Sequence, residues 1–360
     1  MEELLPKDNE EVPLFTSTTD EPADSALSPF APDQLVRCDE CLRANPPTRV
    51  NCLYCSALLP QNETTVNLQK PTLRPLEKWE QGYNNILLPP VANLTDEKLA
   101  AASDLLRLRP DDLSRILSSQ IPLPLARAAT ADEARLIQRR LQLLEINSSI
   151  MPDADLHIDS ADVLKIRALE IDDAGVYAYQ SPEAPAIQIS WSDFALLVSG
   201  RLIFKRVELI EKKGARANSI LDASEFVTDE TVVDVYIRQH STPYRIAANS
   251  FDFSCLGPSK GLLATENIST LVQLFRQQAP QARQDDSFNS LRKSLEAVWP
   301  SEQQTESSGW RRERPGKYNV GSITGLNNEM QFLRYSKLRY HLQTTAASSE
   351  ETSSIPGASG

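Results

Sequence analysis

Four cysteines constrain this chain more than anything else in it. They read Cys38-Asp39-Glu40-Cys41, then ten residues, then Cys52-Leu53-Tyr54-Cys55. Two C-x2-C pairs at this spacing fold back on each other and place four thiolates tetrahedrally around one Zn2+. The stretch around them is short and polar, too poor in apolar side chains to build a core, so bound metal would supply its folding energy. Two disulfides in the same segment are the alternative. With only five cysteines in 360 residues, metal-bound thiols in a reducing compartment fit the usage better than a disulfide scaffold. Cysteine at all four positions leaves no open coordination site for a catalytic water. Cys38, Cys41, Cys52 and Cys55 are therefore expected to be zinc ligands in a small structural or binding module.

The length allows about two or three domains. A net charge of −12 weighs against wholesale nucleic-acid binding and leaves room for a local basic patch. The start, Met-Glu-Glu-Leu-Leu-Pro, has neither a basic nor an apolar signal-peptide region. No run of 18 apolar residues occurs, so no membrane span is expected. A soluble cytoplasmic protein is the expectation.

Along the chain, residues 1–34 are acidic and rich in Ser, Thr and Pro, and read as a disordered leader. The cysteine module occupies 35–60, and 61–82 reads as a linker. Over 83–158 the pattern becomes regular. Ile86-Leu87-Leu88 suggests a strand. Thr95 caps a helix with Leu99, Ala102, Leu105 and Leu106 on one face. Pro110 opens a second helix. Residues Ile121–Ala126 form an edge strand carrying prolines. Thr130-Ala-Asp-Glu133 is a capping box for a third helix, and 147–151 is a closing strand. From about 163 the period becomes two. Val163–Ile171, the turn Asp172–Gly175, Val176–Tyr179, Ala186–Trp191, Phe194–Val198, Arg201–Ile210, Val232–Arg238 and Tyr244–Ala248 read as strands. A helix then starts near Thr265, another covers 285–299, and 300–360 reads as a mostly disordered tail interrupted by an amphipathic piece at 330–340. The fold class expected is α+β and multidomain.

Three resemblances attach to these segments. The spacing Cys41-x3-Asn45-x6-Cys52-x2-Cys55 resembles the Ran-binding-protein type of zinc finger, in which the Asn side chain braces the two knuckles; a generic zinc ribbon shares the cysteine spacing. The chain has Val36 where the family's RNA-binding members carry an aromatic, and Leu42-Arg43 where its ubiquitin-binding members carry Thr-Phe, so neither ligand class transfers. The β-α-α-β-α-β order of 83–158, carried by PLPLARAATADEARLIQRRLQLLEINSSI, resembles the C-terminal domain of the bacterial ribosomal stalk protein. Its turn, Leu108-Arg109-Pro110-Asp111-Asp112, lacks that family's glycine, and only the fold is carried over. Residues 163–299, with Ile189-Ser190-Trp191-Ser192-Asp193-Phe194, resemble bacterial pleckstrin-homology-like domains, which implies a barrel closed by a C-terminal helix.

Basic residues offer further candidates: Arg37, Arg43 and Arg49 on the finger, Arg135, Arg139 and Arg140 on the third helix, Lys205 and Arg206 for a lipid headgroup, and the segment from Trp310 to Lys317. Solvated surface competes with each. His157, His240 and His341 are widely spaced, and no nucleophile elbow, P-loop or dinucleotide fingerprint occurs. The expectation is a non-enzymatic zinc adaptor with protein partners. The alternatives are a nucleic-acid- or ribosome-associated factor using the finger and basic tail, and an enzyme with no local signature.

Overall fold

In the computed structural model the first cysteine pair closes a hairpin of two short strands, β1 (Val36–Arg37) and β2 (Ala44–Asn45). The residues described are 30–60, 70–77, 79–91, 94–158, 163–213, 218–238, 240–314 and 317–353. They fall into two units, Met1–Gln69 and Lys70–Gly360. Most of the expected leader and residues 61–69 of the expected linker lie outside them. The rest of that linker is tied down: Glu133 accepts hydrogen bonds from the backbone N–H groups of Thr72 and Leu73.

Within the second unit, β3 (Tyr83–Leu87) is the middle strand of an antiparallel sheet, flanked by β4 (Pro124–Ala128) and β5 (Ser148–Pro152). Helices α1 (Asp96–Leu106), α2 (Pro110–Ser118) and α3 (Ala131–Leu143) complete the expected β-α-α-β-α-β order. Thr95 and Thr130 cap α1 and α3 by accepting from the N–H groups of Lys98 and Glu133. The capping box is only half made, because the Glu133 carboxylate turns to residues 72 and 73 instead of Thr130.

The centre of the unit is the long antiparallel pair β10 (Phe194–Lys213) and β11 (Asn218–Ile237). The apolar run Phe194–Val198 is buried on both faces, as expected of a central strand covered on both sides. Leu196, Val198 and Leu202 join Val232 and Tyr236 in one core, while Phe194 and Leu197 join Val233, Val235 and Ile237 in another. Around this pair, β12 (Tyr244–Ala247), β6 (Leu164–Ile166), β13 (Arg283–Asp285), β14 (Glu302–Arg314) and β15 (Lys317–Asn327) complete a seven-stranded sheet. A separate meander comprises β7 (Ala168–Ile171), β8 (Gly175–Tyr179) and β9 (Ile187–Ser190). The expected strand 163–171 is thus two strands in two sheets, divided at Arg167. The backbone of Arg167 bonds to Tyr179 and Asp252. The expected strands 194–198 and 201–210 are, conversely, one.

Helices α4 (Ala264–Gln278) and α5 (Phe288–Leu295) follow, and α6 (Glu329–Ser353) ends the described chain. Trp191 and Trp299 are buried, as their apolar positions imply. One core cluster crosses the expected boundary between 83–158 and 163–299, joining Ile86, Leu113, Leu125 and Ile137 to Leu196, Tyr236 and Phe288, while a second, from Ile166 to Ala279, lies wholly within 163–299. Of the expected mostly disordered tail, 300–314 and 317–353 are described and carry regular structure. They contribute the β14–β15 hairpin and α6, whose Phe332, Tyr335 and Leu338 are fully buried in the first of these clusters. Phe332 lies so close to β10 that a Cβ on Gly200 would stand 2.3 Å from its ring.

Three carboxylates on different elements grip α6. Asp153 accepts from Arg334 at 3.0 Å, Asp234 from the Ser336 hydroxyl at 2.8 Å, and Asp285 from the Tyr335 hydroxyl at 2.8 Å. Asp234 also pairs with buried Arg245 through two guanidinium N–H groups. Burial drives the Tyr335 hydroxyl well above its ordinary pKa, so it donates as a neutral phenol.

Candidate metal centre

The two C-x2-C segments fold into near-copies of one turn. In the first, the N–H of Leu42 donates to the carbonyl of Cys38 at 2.9 Å and the N–H of Cys38 donates to Arg43 at 3.0 Å. In the second, Ser56 donates to Cys52 at 3.0 Å and Cys52 donates to Ala57 at 2.7 Å. The residue after each second cysteine, Leu42 or Ser56, takes a left-handed conformation with φ near +60°. This reverses the chain so that both sulfurs of a pair point the same way. The β1–β2 pairing supports the first turn, and a bridge between Asn51 and Leu58 supports the second.

The four sulfurs lie within 4.8 Å of one another. Cys38 and Cys55 are 3.6 Å apart and Cys41 and Cys52 3.5 Å apart. A disulfide needs about 2.05 Å, so the thiols are free. A tetrahedron of zinc–sulfur bonds of about 2.3 Å has edges of about 3.8 Å, and the cluster fits such an ion. Among the described residues no other group of His, Cys, Asp or Glu side chains is close enough to share one. Beneath the sulfurs there is little apolar support: Leu59 packs on Cys38 and Cys52, with Val36, Cys41 and Ala57 partly buried around them.

Asn45 joins the two turns. It is fully buried; its amide nitrogen donates to the Arg43 carbonyl at 2.9 Å and approaches the Cys52 sulfur at 3.5 Å. Its side-chain oxygen accepts from the N–H of Leu53 at 2.8 Å. One side chain therefore ties the first knuckle to the second.

Electrostatics separates the thiols. Burial opposes ionisation of Cys52, but the N–H groups of Tyr54 and Cys55, the Cys41 thiol and the Asn45 amide outweigh it and bring its pKa to about 6. At Cys55 the Ala57 N–H favours the thiolate. Desolvation and the sulfurs of Cys41, Cys38 and Cys52 oppose it more strongly, pushing its pKa to about 12. Four thiols this close do not ionise together without a counter-charge, and a divalent cation supplies one. The set is soft, and its four sulfurs together could hold one metal ion.

The other sequence candidates do not converge on a site. Arg37, Arg43 and Arg49 are exposed on the finger, with the Arg43 guanidinium 4.7 Å above the exposed Tyr54 ring. Arg135 pairs with Asp132, Lys205 with Glu225 and Arg206 with Glu208. Arg139 is exposed and Arg140 partly buried. Trp310 to Arg314 lie on β14, but their side chains, and Pro315 and Gly316, lie outside the described residues. Cys255 is half-buried against the second core, and burial pushes its thiol up to about 11. None of His157, His240 and His341 belongs to a cluster that could hold a metal ion. No helix among the described residues is long and apolar enough to cross a membrane.

Comparison with protein-family models, with characterised proteins and with solved structures finds no match to this chain.

Proposed function

We propose that Cys38, Cys41, Cys52 and Cys55 hold one structural Zn2+ and that the chain is a non-enzymatic, cytoplasmic adaptor working through protein–protein contact. One observation carries this reading: four sulfurs at metal-binding separation, braced by a buried asparagine, with every ligand position filled by the chain. The brace at Asn45 supports a finger of the Ran-binding-protein type. The order of β3 to β5 and the strands followed by α4 support a stalk-like segment and a pleckstrin-homology-like segment, joined in one unit. Exposed Leu42, Leu53 and Tyr54 give the finger an apolar surface of the kind that partners cover.

Metal analysis of reduced full-length protein tests the first half of the reading. About one equivalent of zinc is expected in the wild type and none in Cys52→Ser/Cys55→Ser; wild-type protein free of metal would end it. Affinity purification of the two forms tests the second half. Loss of partners in the variant ties the finger to recognition, whereas unchanged partners make it a structural staple. A second reading, contact with single-stranded RNA, draws on the Arg43–Tyr54 stack at an exposed position. It requires retention on RNA that falls steeply with salt.

A further inference from the structure

A cavity of about 560 Å³ opens where α2, β10, α5, β15 and the start of α6 meet. Of its carboxylates, Asp112 is ion-paired with Arg109 at 2.7 Å and Arg115 at 3.6 Å, although its buried Oδ1 accepts no hydrogen bond. Glu296 accepts from the N–H and hydroxyl of Ser301, both at 2.9 Å, and from the Gln331 amide at 3.1 Å. Among the described residues no carboxylate is ion-paired with the two cations in the wall, Arg292 and Lys293. The Arg292 Nη1 group is buried and has no hydrogen-bond acceptor. Buried donors are rarely left unpaired, because each forfeits its bonds to water. Ile203, Ala297 and Leu326 supply apolar wall beside them. Dipole compensation in the last turn of α5 accounts for basic residues there, but not for a buried N–H without an acceptor.

We propose that this cavity binds a small anion, a carboxylate or a phosphate monoester, carried on an apolar body. The head group takes the hydrogen bonds of Arg292 and Lys293, and the body lies against Ile203, Ala297 and Leu326. A guanidinium beside an ammonium suits either oxyanion, and the volume falls in the usual range for small-molecule sites.

The test is titration of the full-length protein with benzoate, phenyl phosphate, inorganic phosphate and neutral benzamide, read by calorimetry and by melting temperature. Benzoate or phenyl phosphate is expected to bind and raise the melting temperature, with benzamide inert. Which of the two binds more tightly identifies the head group, and weaker binding of inorganic phosphate confirms the apolar contribution. Arg292→Gln/Lys293→Gln is expected to weaken binding at least tenfold. Its unliganded melting temperature should match the wild type, since neither cation has an ion pair to lose. Arg135→Gln, altered on a remote exposed helix face, should bind normally. The proposal is overturned if neither organic anion binds, if benzamide binds equally, if the double variant binds undiminished, or if Arg135→Gln loses binding as severely.

Discussion

Asn45 shows how one residue type can be dictated by geometry. Its amide reaches the Arg43 carbonyl and the Cys52 sulfur while its oxygen holds the Leu53 N–H; no other side chain of that length both donates and accepts from one planar group. Asn45→Ala should therefore weaken metal binding about 10- to 100-fold, the usual cost of removing a group that orients a ligand. Competition with a chromophoric chelator would measure this, and an unchanged affinity would remove the brace from the account. This residue was legible in advance because it stands at fixed spacing from cysteines. Gly200 was not. A glycine within a strand reads only as a weak spot, and its reason lies about 130 residues away in sequence, where Phe332 covers it. Gly200→Ala should destabilise the fold by about 1–3 kcal/mol, as overpacking of a close contact does; the check is a denaturation midpoint compared with Ser199→Ala.

At the scale of elements, the helices declared themselves and the sheet did not. Caps at Thr95 and Thr130, Pro110 at a first turn and apolar spacing mark α1 to α3 locally. Strand lengths depend instead on partners. β10 runs through Gly200 because β11 pairs with it on both sides of that residue, with β15 joining from Phe204, and residues 163–171 divide because each half finds a different sheet. Helix α6 was seen only in part because its buried face mixes Phe332, Tyr335 and Leu338 with Gln331, Ser336 and Lys337. Those polar groups are satisfied by distant residues, so no periodic stripe announces them. Asp153 makes the dependence testable. Burial opposes its ionisation, but Arg127, Arg334, the Asn84 amide and the Gly82 N–H outweigh it and depress its pKa. A depressed carboxylate stabilises the fold above its unfolded pKa of about 3.9 and loses that contribution as pH falls through its folded value. Wild-type stability should therefore decline below about pH 4, and Asp153→Asn should flatten that part of the profile. At pH 7 the variant should already be less stable by about 3–5 kcal/mol, because Arg127 and Arg334 are left buried without their counter-charge. Chemical denaturation across pH measures both effects; an acid limb of unchanged slope in the variant would assign it to other carboxylates.

At the scale of the whole molecule, the two units rest on different physics. The described part of the first, residues 30–60, has Cys38, Cys52 and Leu59 as its apolar cluster, with Pro47 also buried, far too little to offset the conformational entropy of about 30 ordered residues. The second has two extensive clusters that meet at the β10–β11 pair, and among its described residues no group of three or more His, Cys, Asp or Glu is gathered to hold a metal ion. Cysteine spacing made the cluster in the first unit readable, since four converging thiols are encoded by few residues at short range. The merging of 83–158 with 163–353 was not readable, because a shared core looks in sequence like two adjacent apolar patterns. This division predicts how the protein answers a chelator. Removing the ion at neutral pH should melt the finger alone. In hydrogen exchange, the amides of Cys38, Leu42, Cys52 and Ser56, each bonded within a knuckle turn, should lose protection together. Those of Leu197 and Val235, paired in the central strands, should keep theirs. Readdition of zinc should restore the first set without altering the second. If the chelator strips both sets at once, the larger unit depends on the metal for its own stability, and a core of this size would not be self-sufficient after all.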